Sequence, residues 1–90
     1  VVDSTALPEQ AVRDILASAF QSAGQRCSAL RCLYVQDDIA DVVTAMLFGA
    51  MDELAPGDPW RLATDTGPVI DAAAAAGIRL SRRRAAAPPE

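Results

Sequence analysis

Histidine and lysine are both missing from these 90 residues. Without an imidazole, no cysteine or serine in the chain has the partner base of a protease-type dyad. Cysteine is scarce: Cys27 and Cys32 stand five apart and form no zinc pattern, and with no histidine in the chain a structural metal site is unsupported and no metal is expected. The pair supplies no disulfide framework either, which fits a reducing compartment and points to the cytoplasm. Aromatics amount to 4%, and much of the 51% apolar content is alanine, so little burial is available per residue. A chain of this length buries only about 60% of its unfolded surface, which sets one thin-cored domain as the ceiling. No run approaches the roughly 18 apolar residues of a membrane span. The start lacks the charged and apolar regions of a signal peptide.

The net charge of −4 hides an uneven distribution. Apart from Glu90, the acidic residues lie within 1–71, whereas Arg79, Arg82, Arg83 and Arg84 crowd the C-terminal end. In charge alone these arginines suit nucleic acid or an acidic membrane surface. No aromatic or glycine pattern accompanies them, so a solvated tail is expected and nucleic acid is not expected as a partner. The bias toward Ala, Arg and Pro with no lysine reads as a GC-rich gene.

Val1-Val2-Asp3 reads as the end of a strand entering a turn at Ser4-Thr5. Pro8 suits the first turn of a helix, where its missing N–H removes nothing needed. Val12, Ile15, Leu16, Ala19 and Phe20 then fall on one helical face, with Gln10, Arg13, Asp14 and Gln21 mostly opposite. Gly24 is the natural stop. Residues 30–35 are short and largely apolar without strict alternation, the pattern of a strand covered on both faces. Asp37 and Asp38 offer an N-cap to a second helix carrying Ile39, Val42, Val43, Met46, Leu47, Ala50, Met51 and Leu54. Its Met and Phe residues read as core packing, not a cofactor box.

Pro56-Gly57-Asp58-Pro59 ends that helix, and a loop follows to Gly67-Pro68. Val69-Ile70 leads into the alanine run 72–76, the start of a third helix. Residues 78–90 have no apolar stripe and are expected to be frayed or disordered. Helix, strand, helix, loop and helix start in this order predict part of an α/β domain with a parallel sheet.

Cys27 falls between the first helix and the strand, with Gly24 to turn the backbone and Arg26 beside it. A thiol attacks as thiolate, so an adjacent positive charge helps, and backbone N–H groups in a glycine turn can receive an oxyanion. Cys27 is therefore a candidate nucleophile. Cys32, mid-strand, reads as inert core. A thiol redox pair of the two needs disulfide reach, which a strand beginning near Leu30 opposes.

Phe20-x-x-x-Gly24-Gln25-x-Cys27 resembles the cysteine signature of the NAD(P)-dependent aldehyde dehydrogenases. Gly57-Asp58-Pro59 and Asp65-x-Gly67-Pro68-x-Ile70 match the run that follows in that superfamily. The fuller text, residues 2–7 and 22–31, is similar to one branch, the L-glutamate γ-semialdehyde (1-pyrroline-5-carboxylate) dehydrogenase domain of bifunctional proline utilization A enzymes. The resemblance covers residues 1–77 and sets 78–90 apart as a divergent tail. It implies the three-layer, parallel-sheet architecture of that catalytic domain, a small-molecule aldehyde substrate, NAD as cofactor and a homo-oligomeric parent. It also implies that Cys27 adds to the aldehyde carbon to give a thiohemiacetal. Hydride then leaves for NAD, and the thioester is hydrolysed to glutamate. The N–H of Cys27 would supply half of the oxyanion hole, and Arg26 and Ser28 would hold the substrate carboxylate.

The family's general-base glutamate, oxyanion asparagine and most of its nucleotide fold map before Val1. Its ribose-binding glutamate, anchor loop and oligomerisation hairpin map beyond Glu90. No glycine-rich dinucleotide turn is present here. Glu9 and Glu53 sit on helices with ordinary surface explanations. The expectation is a part of such a dehydrogenase, inactive as an isolated chain, with a frameshift or early stop behind the divergent tail. The alternatives are a non-catalytic truncated or interaction product and an aldehyde dehydrogenase of another substrate class.

Overall fold

Val2 is the first residue to find a partner. Its N–H donates to the carbonyl of Tyr34 at 2.8 Å, and its own carbonyl accepts from Gln36 N–H at 2.9 Å. This is a single parallel bridge between Val2 and Val35. Asp3 then turns the chain away: its carboxylate accepts from Thr5 N–H at 2.9 Å and from the Thr5 hydroxyl, and its carbonyl from Ala6 N–H at 3.1 Å. Thr5's hydroxyl, followed by its N–H, holds the Asp3 carboxyl below its ordinary pKa of 3.8.

The computed structural model describes residues 1–88, and its elements are α1 (Pro8–Phe20), a 3-10 turn (Gln21–Gly24), α2 (Asp37–Asp52) and α3 (Ala72–Ala85). α1 opens on Pro8 with Glu9 in its first turn, where a negative charge suits the helix dipole. Its face buries Val12 and Ile15, with Leu16, Ala19 and Phe20 half-buried behind them. This face packs against α2. Val43 of α2 is the most enclosed side chain, at 0% exposure. Burying a valine is worth about 1.5–3 kcal/mol, yet only Val2, Val12, Ile15 and Val43 are buried among the described residues. The radius of gyration, 14.8 Å, exceeds the roughly 12 Å of a compact domain this size. The core is as thin as the composition implies.

Four expectations need correction. Residues 30–35 form no strand: Val35 is paired once, by the bridge to Val2. A strand needs a ladder, and the segment beside it bends off at Asp3 after a single pair. Asp37 and Asp38 do not cap α2. They are its first residues, the N-cap is Gln36, and no side-chain cap bond is made. Val42, Phe48 and Met51 lie outside the buried stripe of α2, at 56%, 60% and 38% exposure, so Phe48 and Met51 are not the core packing expected of them.

The fourth correction concerns the C-terminal arginines. α3 begins at 72 as expected, with the Asp71 carboxylate accepting from Ala74 N–H at 2.7 Å. It then runs through Gly77 to Ala85, so 78–85 are helical instead of frayed. Alanine, leucine and arginine are strong helix formers, and Arg82, Arg83 and Arg84 occupy the last turn, where positive charge opposes the dipole favourably. Residues 89–90 of the expected frayed stretch lie outside the described residues. No described helix is long and apolar enough to cross a membrane.

Candidate active site

α1 ends at Phe20, and the next backbone stretch is unusual. Ser22, Ala23 and Gly24 all take left-handed conformations, with φ of 54°, 54° and 70°. For residues with a Cβ this costs about 1–2 kcal/mol each. At Gly24 an added Cβ would also lie 2.9 Å from the Ala19 carbonyl oxygen, so glycine is required twice over. The result is a sharp change of direction that throws the chain clear of the α1 axis.

The next four residues, Arg26 to Ala29, close a turn in which Ala29 N–H donates to the Arg26 carbonyl at 3.1 Å. Cys27 and Ser28 occupy its corner, and both are exposed. Leu30 N–H then anchors the exit, donating to Ser18 Oγ at 3.1 Å and to the Ser18 carbonyl at 3.3 Å. Both legs of the loop are therefore tied to α1, and the sulfur sits at the outer bend. Nothing among the described residues accepts a hydrogen bond from the N–H of Cys27.

Residues far along the chain brace this loop. The Gln25 side chain donates through Nε2 to the Ser22 carbonyl at 2.8 Å, and its Oε1 accepts from Ile70 N–H at 2.7 Å. The Thr66 hydroxyl donates to the Phe20 carbonyl at 2.9 Å. Arg31 donates to the Gly24 carbonyl. The 65–70 segment is itself held to the end of α2. Asp65 accepts from Ala55 N–H through its carboxylate and donates its own N–H to the Ala55 carbonyl, both at 2.8 Å. Gly57 N–H donates to the Thr66 carbonyl at 3.0 Å. A groove of about 510 Å³ runs where Ser22 and Gln25 face Thr64, Thr66, Gly67 and Ile70. A second groove, also about 510 Å³, lies away from the cysteine between α1, Val2 and Leu33.

Arg26, Cys27 and Ser28 thus share one exposed turn. The Arg26 guanidinium reaches back to Gln21 Oε1 at 3.4 Å, a loose contact that leaves it solvated. Cys27 is a free thiol, and so is Cys32. Cys32 is exposed, which corrects its reading as inert core: residues 30–35 form no strand, and nothing among the described residues covers it. Reasoning from the sequence missed Gln25, Arg31 and Thr66 as braces. The available signal was a glutamine beside Gly24 and a threonine before Gly67-Pro68, polar side chains next to turn-forming residues. A polar side chain in such a position usually bonds backbone.

No described group of three or more Cys, Asp or Glu side chains is placed to hold a metal ion. The helix N-termini do not fit a dinucleotide pyrophosphate. α1 begins with Pro8 and Glu9, α2 with Asp37 and Asp38, and α3 with an N–H already taken by Asp71. Carboxylates at these positions would repel the phosphates.

Residues 1–87 match the aldehyde dehydrogenase family, and the chain belongs to it. The bifunctional protein PutA of Escherichia coli K12 is 64% identical over 78 residues, covering 87% of this chain and 6% of that protein. The 1-pyrroline-5-carboxylate dehydrogenase of Geobacillus kaustophilus is 42% identical over 71 residues, covering 79% of this chain and 14% of the relative. Among solved structures, a mutant of Bradyrhizobium japonicum proline utilization A matches with a TM-score of 0.88 at 51% identity, over 92% of this chain and 9% of that one. The chain therefore spans less than a tenth of the length of these bifunctional relatives.

Proposed function

We propose that this chain carries the nucleophile loop of an NAD-dependent L-glutamate γ-semialdehyde dehydrogenase, the step that delivers glutamate from proline breakdown. The carrying observation is an exposed free thiol, Cys27, at the bend of a loop held at both legs. In this reading the Cys27 thiolate forms a C–S bond to the aldehyde carbon, and the carbonyl electrons move onto oxygen. The uncommitted N–H of Cys27 then donates to that oxyanion. Arg26 and Ser28, on either side of the thiol, hold the substrate carboxylate by a charge-assisted and a hydroxyl hydrogen bond.

NAD supplies the oxidising chemistry in this family, and the helix N-termini of this chain do not cradle it. We assign the general base and the nucleotide fold to other parts of such an enzyme, and expect the isolated chain neither to bind NAD tightly nor to turn over. A parallel-sheet, three-layer setting is part of the proposal, supported by the parallel sense of the Val2–Val35 bridge. A homo-oligomeric, cytoplasmic parent belongs to it as well.

The test is a hybrid enzyme in which residues 1–77, the stretch that carries the resemblance, replace the matching segment of Escherichia coli PutA. The hybrid should reduce NAD with L-glutamate γ-semialdehyde, and Cys27→Ala should lower that rate by about three orders of magnitude. A hybrid that keeps its rate without the Cys27 sulfur would overturn the proposal.

A further inference from the structure

Left-handed backbone at Ser22 and Ala23 is unfavourable on its own, because each Cβ crowds the adjoining carbonyl. Such conformations persist where their surroundings over-determine them, and they concentrate at functional sites. Here the surroundings can be named. The Ser22 carbonyl accepts twice from one residue, from Gln25 N–H at 3.1 Å and from Gln25 Nε2 at 2.8 Å. The opposite end of the same amide, Oε1, accepts from Ile70 N–H at 2.7 Å, 45 residues further on. The two partners, a carbonyl and an N–H, demand opposite ends of the amide, so its orientation is set by them. One side chain therefore locks the turn before Cys27 and ties it to the Gly67-Pro68-x-Ile70 segment. This links two motifs that are separate in sequence.

We propose that Gln25 is a positioning residue for Cys27: its amide holds the left-handed turn against the Ile70 backbone and so sets where the sulfur stands relative to the aldehyde carbon. Gln25 need not touch substrate to do this. Misplacing a reacting atom by roughly 1 Å can cost on the order of 100-fold in rate. The inference rests on the reading of Cys27 as the nucleophile. It adds that the loop is not self-sufficient, and that its geometry is imposed from the downstream motif through a neutral amide.

The experiment uses the same hybrid enzyme. Gln25→Ala should lower kcat about 10- to 100-fold while KM for the semialdehyde stays within about twofold, the pattern of a lost transition-state geometry. The pH at half-maximal kcat should not move, because neither end of the amide titrates. Iodoacetamide should still alkylate Cys27, since the thiol is exposed. Gln25→Glu keeps an acceptor for Ile70 N–H but loses the donor to Ser22, and should fall between the two. Hydrogen exchange at Ile70 should quicken in Gln25→Ala and remain slower in Gln25→Glu. If Gln25→Ala does not fold, Gln25→Glu decides by the same kcat and KM readout. A kcat within twofold of the parent hybrid overturns the proposal, as does a loss carried entirely by KM or a displaced pH profile. The two readings fail separately. Full rate in Gln25→Ala with a dead Cys27→Ala sinks the positioning role alone, whereas full rate in Cys27→Ala sinks both.

Discussion

The Cys27 loop and α3 are held together by opposite means. The loop has almost no local propensity in its favour: three consecutive left-handed residues precede the thiol. It is fixed by partners distant in sequence, with Gln25 bonded to Ile70 and Thr66 to Phe20. α3 has everything locally. It has an Asp71 cap, an alanine run and arginines in its last turn, and it packs on neither α1 nor α2. Its apolar residues Ile78 and Leu80 are about half exposed. Local chemistry suffices to make a helix. A loop that aims a reactive atom needs long-range bonds, and those bonds use side chains a helix has no call for.

Point substitutions test this difference between the two regions. The largest stability effect is expected at neither region but at the α1–α2 contact between them. Val43→Ala should cost about 2 kcal/mol, read from the urea midpoint of the helical signal. Ile78→Ala on α3 should stay within about 0.5 kcal/mol. Equal losses at the two positions would show that α3 is packed after all.

Gly24→Ala comes next. It forces a Cβ toward the Ala19 carbonyl and imposes the left-handed penalty, for about 1–2 kcal/mol of turn stability. A Gly49→Ala control on α2, where an added Cβ meets nothing within 4 Å, should be neutral to stabilising.

The smallest effect concerns Asp3. Its carboxyl is lowered in the fold by the Thr5 hydroxyl and N–H, so its contribution is present above the unfolded value of 3.8 and fades as pH falls through the lower folded value. Asp3→Asn should remove this small contribution at neutral pH and leave stability at low pH little changed, flattening the acid limb of a stability–pH curve below about pH 4. An unchanged acid limb would contradict the Thr5 contacts.

What the sequence revealed follows the same division. α1 and α2 were legible because apolar residues recur at helical spacing, but α1 stops at Phe20, short of the expected stop at Gly24, because Ser22 and Ala23 already turn left-handed. Cys27 stood out through its place between helix and expected strand and through the family signature. Arg26 and Ser28 stood out as substrate contacts only through what that resemblance implies, and all three lie on one exposed turn. The length of α3 was missed because the lack of an apolar stripe was weighed above the intrinsic propensity of Ala, Leu and Arg. The strand at 30–35 was over-read because its composition suits a ladder that a single bridged neighbour does not form. The exposure of Cys32 follows from that error. The Gln25–Ile70 and Thr66–Phe20 ties could not be read from spacing, since nothing periodic connects residues 45 and 46 apart.

The central claim concerns one of two exposed thiols, so the most direct measurement weighs both. The hybrid enzyme would be quenched during turnover of L-glutamate γ-semialdehyde and its peptides analysed by mass. A glutamate-derived acyl group is expected on Cys27 and none on Cys32. An adduct on Cys32, or NADH accumulating with no adduct on Cys27, would contradict that claim.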